Sequence, residues 1–419
     1  MPSQRDRTLI YAAAFLRSLG TGMCGVLLAL HMHALGWDVR QVGLLVTAGL
    51  AGIATATLLS SFFADRARRF SLIVLGVFNA LGGLVLMVSP VYRDAPVMLL
   101  SFAFFGMING LGRDRGPAYA LEQALLPSTT TDERRTWTIA WYSLLLDAGL
   151  ALGSLAAGVP YLLRREWGWE AARSYQAAWA LYAALALIAL VLYACLSPAI
   201  EAAKVKAAAK GETTPIHMHN TRAAIYKLAA LTGLDSLGGG FLSSALVSYW
   251  FFQRFGMGEE LLGPLFFGAR VANAASHLVA AWLARRIGLL NTMVFTHLPS
   301  SIFLIAVPFA PSLPWAIALF LIREGLVEMD VPTRQSYILA VVRPEERAFA
   351  SGFTTFTRNV AYAIAPALAG AAMKGLSMAS PLFFGGGIKI VYDVILYAAF
   401  RRVKPPEELP GRSQAEKRP

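Results

Sequence analysis

Charge is scarce in this chain. Of its 419 residues 56% are hydrophobic and only 15% are charged, where soluble domains carry about 25%. A soluble fold of this size would lack the charged side chains to cover its surface, whereas a chain facing lipid needs few. Cysteine is scarcer still. Cys24 and Cys195 both lie in apolar stretches and support neither a disulfide framework nor a metal knuckle. Acidic residues number 25 against 37 basic ones, giving a formal net charge of +12. Such an excess can mark nucleic-acid binding, but here the basic residues sit in short clusters between long apolar runs, so no nucleic-acid partner is expected. There is no nucleotide loop, no serine–histidine pairing and no histidine-rich metal motif. Nothing therefore points to an enzyme, a bound cofactor or an ATP-driven pump.

What the chain does have is long apolar runs. A spanning helix needs about 20 apolar residues. By that measure there are about twelve candidates, at 9–33, 41–63, 71–91, 96–124, 136–161, 173–197, 223–252, 261–283, 291–310, 315–341, 349–373 and 381–401. The sequence thus predicts an all-α integral membrane protein. Its organisation reads as a six-helix bundle over 1–197, a polar linker over 198–222 containing Lys204, Lys206 and Lys210, a second six-helix bundle over 223–401, and a charged tail over 402–419. The start, with Arg5 and Arg7 before an apolar stretch, has the look of a signal peptide, but Arg17 interrupts that stretch. It reads as an uncleaved first helix.

Lys and Arg accumulate on cytoplasmic loops. With the N-terminus inside, the inside segments hold 22 basic residues and the outside segments seven. Both termini and the linker are expected in the cytoplasm, with 162–172 outside.

The two halves match at a shift of 212 to 220 residues. Leu16–Gly22 reads LRSLGTG and Leu234–Gly240 reads LDSLGGG; Asn109–Pro117 reads NGLGRDRGP and Glu324–Pro332 reads EGLVEMDVP. Ala64–Arg66 (ADR) answers to Ala284–Arg286 (ARR), and Gly153 to Gly158 lies opposite Ala365 to Gly370. Parallel halves related by an axis along the membrane normal are a recurring transporter plan. The loop after the second span runs Ser61-Phe-Phe-Ala-Asp65-Arg66-Ala67-Arg68-Arg69.

On these features the chain resembles the major facilitator superfamily over essentially its whole length. Asp65, Arg66 and Arg69 match that family's loop signature, while Ser61 and Arg68 replace its two glycines. Arg113 loosely resembles another family arginine. Of the family's antiporter signature on the fifth helix, only the glycine spacing of Gly149, Gly153 and Gly158 is present. The resemblance implies twelve helices in two pseudo-symmetric six-helix bundles, with helices 1, 4, 7 and 10 lining a central cavity.

A charge at the centre of a spanning helix costs about 2.5–3.5 kcal/mol on insertion scales, so charges within spans are candidates for function. Equivalent positions under the repeat carry opposite signs: Arg17 with Asp235, Arg113 with Glu328, Arg115 with Asp330. Ion pairs among these six could close the cytoplasmic side of a cavity; alternatively, each charge pairs within its own half and orients helices. Asp235, Glu328 and Asp330, then Glu122, are the candidates for carrying protons. Pro117 and Pro332 occupy equivalent places, where each can bend its helix. The triplets His31-Met32-His33 and His217-Met218-His219 have no further ligands beside them, so no metal site is expected. Trp37, Trp167, Trp169, Trp250 and Trp315 are expected at the outer interface.

The reading is a monomeric secondary active transporter in the cell membrane, the inner membrane if the source is bacterial. It would move a small solute by alternating access, with proton-coupled export of an organic or amphipathic compound as its specific form. A metal or inorganic-ion carrier of the same fold is the next reading. A non-transporting receptor or a membrane-embedded enzyme is the alternative of another class.

Overall fold

The computed structural model describes residues 4–63, 68–114, 116–131, 134–200, 221–330, 334 and 347–401. Most of the linker, the tail and the loop residues Asp65 and Arg66 lie outside the described residues, as do Arg115, Pro332 and the triplet at 217–219.

The described residues are α-helical, with no strand among them. In chain order the helices are α1 (Gln4–Ala34), α2 (Val39–Phe63), α3 (Arg68–Val88), α4 (Pro96–Phe105), α5 (Pro117–Leu125), α6 (Arg135–Ala156), α7 (Val159–Trp167), α8 (Ala171–Ala194), α9 (Thr221–Phe241), α10 (Ser244–Phe255), α11 (Glu259–Ile287), α12 (Leu289–Ala306), α13 (Leu313–Val327), α14 (Arg347–Gly375) and α15 (Ser380–Phe400). Among the described residues seven stretches are long and apolar enough to cross a membrane: 4–34, 39–60, 68–92, 137–167, 171–194, 289–309 and 380–400. Of the other five expected spans, 261–283 and 349–373 are continuous helix, 96–124 and 223–252 are each split in two, and 315–341 leaves the described residues after Asp330 except at Arg334.

The chain divides into two compact units. The first comprises Met1–Ala207, Leu242–Arg270 and Ala363–Ser380; the second comprises Ala208–Phe241, Val271–Tyr362 and Pro381–Pro419.

In the first unit α1 is the central element, packed on α6, α8 and α10. Between helices in lipid there is little hydrophobic drive, so close approach of small residues has to supply the contact. A Cβ on Gly153 would run into the Leu19 carbonyl, one on Gly149 into Phe15 and Ser18, and one on Gly22 into the Leu150 carbonyl. The glycine spacing noted on the fifth span is thus what brings α6 against α1. Below this crossing, Ile10, Ala14, Leu72, Leu121, Tyr142 and Leu196 form a buried apolar core.

Two spans are discontinuous in this unit or at its edge. After α4 the backbone runs irregularly through 106–114, and Gly112 has φ +72°. Proline at the first turn then starts α5, where its missing N–H costs nothing. Between α9 and α10 the helix breaks at Leu242 and Ser243. Irregular backbone at membrane depth must find partners within the protein. Here the start of α10 and α11 supply them: Ala245 N donates to Gly110 O (3.1 Å), Ser244 Oγ to Leu111 O (3.1 Å) and Arg270 Nη2 of α11 to Gly112 O (2.8 Å). Asn109 clamps the loop from inside, donating to Arg113 O (2.7 Å) and accepting from Leu111 N (3.1 Å).

In the second unit Ile225, Leu228, Leu290, Met293, Tyr392 and Leu396 form the apolar core between α9, α12 and α15.

Candidate functional site

Among the described residues each unit buries a connected network of charges, and the second also buries a separate Arg323–Glu324 pair to which Asn273 donates (3.0 Å). In the first, Arg17 of α1 reaches two carboxylates from the broken fourth span. Its Nε donates to Asp114 (2.9 and 3.1 Å), and Nη1 and Nη2 form a fork onto Glu122 (2.9 and 2.8 Å). Such a two-pronged pairing uses the planar guanidinium fully. Glu122 also accepts from Tyr193 (2.6 Å) and Tyr142 (2.7 Å), and Ser18 donates to Asp114 (2.9 Å). Glu122 is fully buried. The break between α4 and α5 sets Asp114 just before Pro117 and Glu122 one and a half turns after it, so that one guanidinium meets both.

Beside this network lies a recess of about 660 Å³, counted to its open mouth. Arg17, Asp114, Asn79, Asn109 and Tyr182 line its polar side, and Leu16, Ile53, Leu75, Met107 and Leu185 its apolar side.

In the second unit the hub is Asp235 of α9. Arg334 Nη1 donates to its Oδ2 (2.7 Å) and Lys389 Nζ to its Oδ1 (2.7 Å). Arg334 also pairs with Asp330 one turn away (3.0 Å). Lys389 continues to His297 Nε2 (3.1 Å), and His297 Nδ1 lies 3.0 Å from both oxygens of Asp393. Lys389 and Asp393 are four residues apart on α15, hence on one face. All these groups are buried.

The structure therefore places Arg17 with Asp114 and Glu122 of its own half, and Asp235 with Arg334 and Lys389 of its own half. Asp330 joins the second network through Arg334. Glu328 is buried at the end of α13 and Arg113 is half-buried in the α4–α5 break. Of the loop signature, Arg69 is described, and its Nη2 donates to the Ala194 carbonyl at the end of α8 (2.5 Å). Lys389 and Asp393 are charges inside the apolar run at 381–401, and so conspicuous in the sequence. His297 is not, because a single histidine in an apolar run looks like a packing residue until its two neighbours, 92 and 96 positions away, are known.

Other expectations resolve differently. His31 is buried against Tyr175 and Trp179 and bonds Ser89 (2.8 Å), while His33 faces Tyr249 and Phe252. The triplet thus diverges into two aromatic environments. Trp167 and Trp315 are exposed, as interface anchors should be, but Trp37 and Trp250 are buried. Trp37 donates to the Arg93 carbonyl (3.0 Å) and Trp250 packs on Phe251 and Phe255, so both serve the interior.

Two ion pairs in the first unit join helix ends that are far apart in sequence. Lys374, at the end of α14, pairs with Asp38 before α2 (2.6 Å). Arg164 of α7 pairs with Glu259 at the start of α11 and also donates to Ser174 (3.1 Å). Burial opposes the charge on Asp38, yet the Lys374 ammonium and the backbone N–H of Gln41 leave its carboxyl below the ordinary value.

Comparison with known proteins agrees with this architecture. The model of the Major Facilitator Superfamily matches residues 10–323 and again 228–419. An uncharacterized membrane protein of Saccharomyces cerevisiae is 26% identical over 427 aligned positions, covering 95% of this chain and 94% of its own length. Among solved structures, a D-xylose–proton symporter superposes with a TM-score of 0.73 at 14% identity, covering 94% of this chain and 97% of that one. A bacterial homolog of the human lysosomal transporter Spinster, inward-facing and occupied, gives 0.70 at 12% identity, with 94% and 97% covered. The nucleoside transporter NupG gives 0.68 at 14% identity, with 94% and 99% covered. With the family model spanning nearly the whole sequence, the chain belongs to the major facilitator superfamily and is a membrane transporter rather than an enzyme.

Proposed function

We propose that this transporter is a secondary active carrier moving a small organic solute by alternating access, with proton-coupled export of an amphipathic compound as its specific form. The observation that carries the reading is the broken fourth span. Irregular backbone inside the membrane occurs where it is buried in protein or lines a cavity, and this stretch sets Asp114 and Asn109 at a recess with one polar and one apolar side. That lining suits a solute that is itself part polar and part apolar. Two of the structural neighbours carry organic solutes, a sugar with protons and a nucleoside. With no nucleotide loop in the sequence, a gradient is the energy source in this reading. Asp235, Glu328, Asp330 and Glu122 are the carboxylates assigned to proton movement.

The charge reversal between halves belongs to the same proposal. Arg17 and Asp235 hold partners within their own halves in this structure, so pairing of Arg17, Arg113 and Arg115 with Asp235, Glu328 and Asp330 is assigned to another state of the cycle. Both termini are placed in the cytoplasm, in the cell membrane.

An inorganic-ion or metal carrier is the second reading. Among the described residues there is no group of three or more His, Cys, Asp or Glu side chains arranged to hold a metal, which favours the organic solute. Purified protein screened by thermal shift against sugars, nucleosides, amphipathic drugs and divalent metals separates the two. A hit is then carried into liposomes with an imposed pH gradient. Stabilisation by an organic solute, with uptake that collapses when the gradient is dissipated, is the expected result. Stabilisation by metals alone overturns the substrate class, and concentrative uptake without a proton gradient overturns the coupling.

A further inference from the structure

The second network contains a histidine held between a cation and an anion. His297 of α12 is 1% exposed and Asp393 fully buried. The Lys389 ammonium has donors only. It spends one N–H on Asp235 Oδ1 at 2.7 Å and another on His297 Nε2 at 3.1 Å. The ring nitrogen facing it must therefore be the lone-pair nitrogen. The single ring proton then sits on Nδ1 and points at Asp393, 3.0 Å away. Every donor in the line runs the same way, from Lys389 through the ring to Asp393.

A second carboxylate stands near the same nitrogen. Asp235 Oδ1, the atom Lys389 holds, is 3.7 Å from His297 Nε2. Lys389 thus both satisfies Asp235 and blocks Nε2. We propose that His297 is a proton-binding site under the control of Lys389: ammonium and proton compete for the gap between Nε2 and Asp235. When Lys389 withdraws, Nε2 takes a proton from water. The resulting imidazolium lies between Asp393 and Asp235 and replaces the ammonium as counter-ion. When Lys389 returns, that proton leaves to water. One proton is exchanged for the position of one amine, with no other bond made or broken.

The surroundings fit this exchange. Three carboxylates, Asp235, Asp330 and Asp393, share two cations, Arg334 and Lys389, within the linked groups. Arg358 of α14 approaches the same corner, but its Nε donates to Ser236 (3.1 Å). Tyr392, against the edge of the His297 ring, is within electrostatic reach of Arg334, Asp235, Asp330 and Asp393. Its buried hydroxyl has no hydrogen-bond partner among the described residues. The use of this site in coupling rests on the carrier reading above; its existence as a proton site does not.

The test needs no substrate. Full-length protein in nanodiscs, with ring-nitrogen-15 histidine, is observed by NMR near neutral pH, and the His297 signals are assigned by their loss in His297→Gln. In the natural protein the expected ring carries one hydrogen, on Nδ1. In Lys389→Met both ring nitrogens are expected to carry one, because the competing ammonium is gone while both carboxylates remain. If Lys389→Met does not fold, Lys389→Leu gives the same readout, since leucine also brings no donor to Nε2. A hydrogen on Nε2 in the natural protein overturns the proposal. So does a ring still neutral in whichever lysine variant folds. These outcomes are independent of the solute screen: failure here leaves the carrier reading standing, and failure of that screen leaves this titration interpretable.

Discussion

Glu122 is a heavily bonded carboxylate of the first unit. It takes two hydrogen bonds from Arg17 and one each from Tyr142 and Tyr193. An amide cannot accept on its nitrogen, so Glu122→Gln leaves at least one of these donors, or part of the Arg17 charge, without a partner. Removing one member of a buried pair costs about 3–5 kcal/mol, and Asp114 keeps this case to the low end. Tyr142→Phe removes a single bond to a charged group, worth about 1.5–3 kcal/mol, and leaves three donors in place. Thermal unfolding of purified protein should therefore show a larger loss for Glu122→Gln than for Tyr142→Phe. The opposite order would mean that Glu122 is not held as a carboxylate. Arg17, Glu122, Asp235 and Asp330 are legible in the sequence, because an ionised residue in an apolar run is conspicuous. Apart from Asp330 with Arg334, four positions apart, it does not expose who pairs with whom. Arg17 has its acids on a span about 100 residues away and on no recognisable spacing, and two-fold symmetry made Asp235 look an equally good partner.

At the scale of the element, the fourth span shows what a hydropathy window averages away. Residues 96–124 read as one apolar stretch, yet Gly106, Gly110, Gly112 and Gly116 followed by Pro117 make a helix the least favourable choice in its middle. The segment was visible as a repeated motif rather than as a break. Its conformation also depends on partners that no local pattern reveals, such as Ser244 and Arg270. Gly112 carries the tightest requirement. Its φ of +72° lies where other residues pay roughly 1–2 kcal/mol, and a Cβ there would strike the Ser244 side chain. Gly112→Ala is expected to lower the melting temperature and to loosen the Arg270 contact. Ser244→Gly in the same chain should recover the steric part but not the backbone part. Full recovery by Ser244→Gly would show that the left-handed conformation is not needed. The glycines of the fifth span were legible in a different way: their spacing was seen, and its use in seating α6 on α1 became clear only with the helices in place.

The two ion pairs that join helix ends in the first unit have matching addresses in the two halves of the chain. Asp38 precedes α2 and Glu259 opens α11, the second span of each half, while Arg164 and Lys374 lie at the ends of the fifth and eleventh spans. Glycines mark both seams: Gly43 approaches Gly370 between α2 and α14, and Gly263 approaches Ser154 between α11 and α6. Under the proposed loop-charge topology this is the outer face, where the two pairs tie helix ends together. Their strengths differ. Lys374 and Asp38 are 54% and 40% exposed, Arg164 and Glu259 27% and 6%. An exposed pair is worth about 0–1 kcal/mol, whereas breaking a buried one costs about 3–5 kcal/mol. Spin labels at Arg40→Cys and Leu376→Cys, with Cys24 and Cys195 replaced, report the α2–α14 seam by pulsed distance measurement. Glu259→Gln should add a longer-distance population. Asp38→Asn should add little, since asparagine keeps the helix cap that Asp38 forms with Gln41 (2.9 Å each way) and only the exposed pair is lost. Acid follows the same logic. Because the Asp38 carboxyl lies below its ordinary value in this state, its pairing is fully present above the usual aspartate range near pH ~4. It is lost only as pH falls through the lowered value, so between about pH 7 and 5 the Asp38 pair should leave the distances unchanged, and Asp38→Asn should abolish whatever part of an acid response comes from this pair. A Glu259→Gln distribution identical to that of the parent would show that these pairs decorate the seam without holding it.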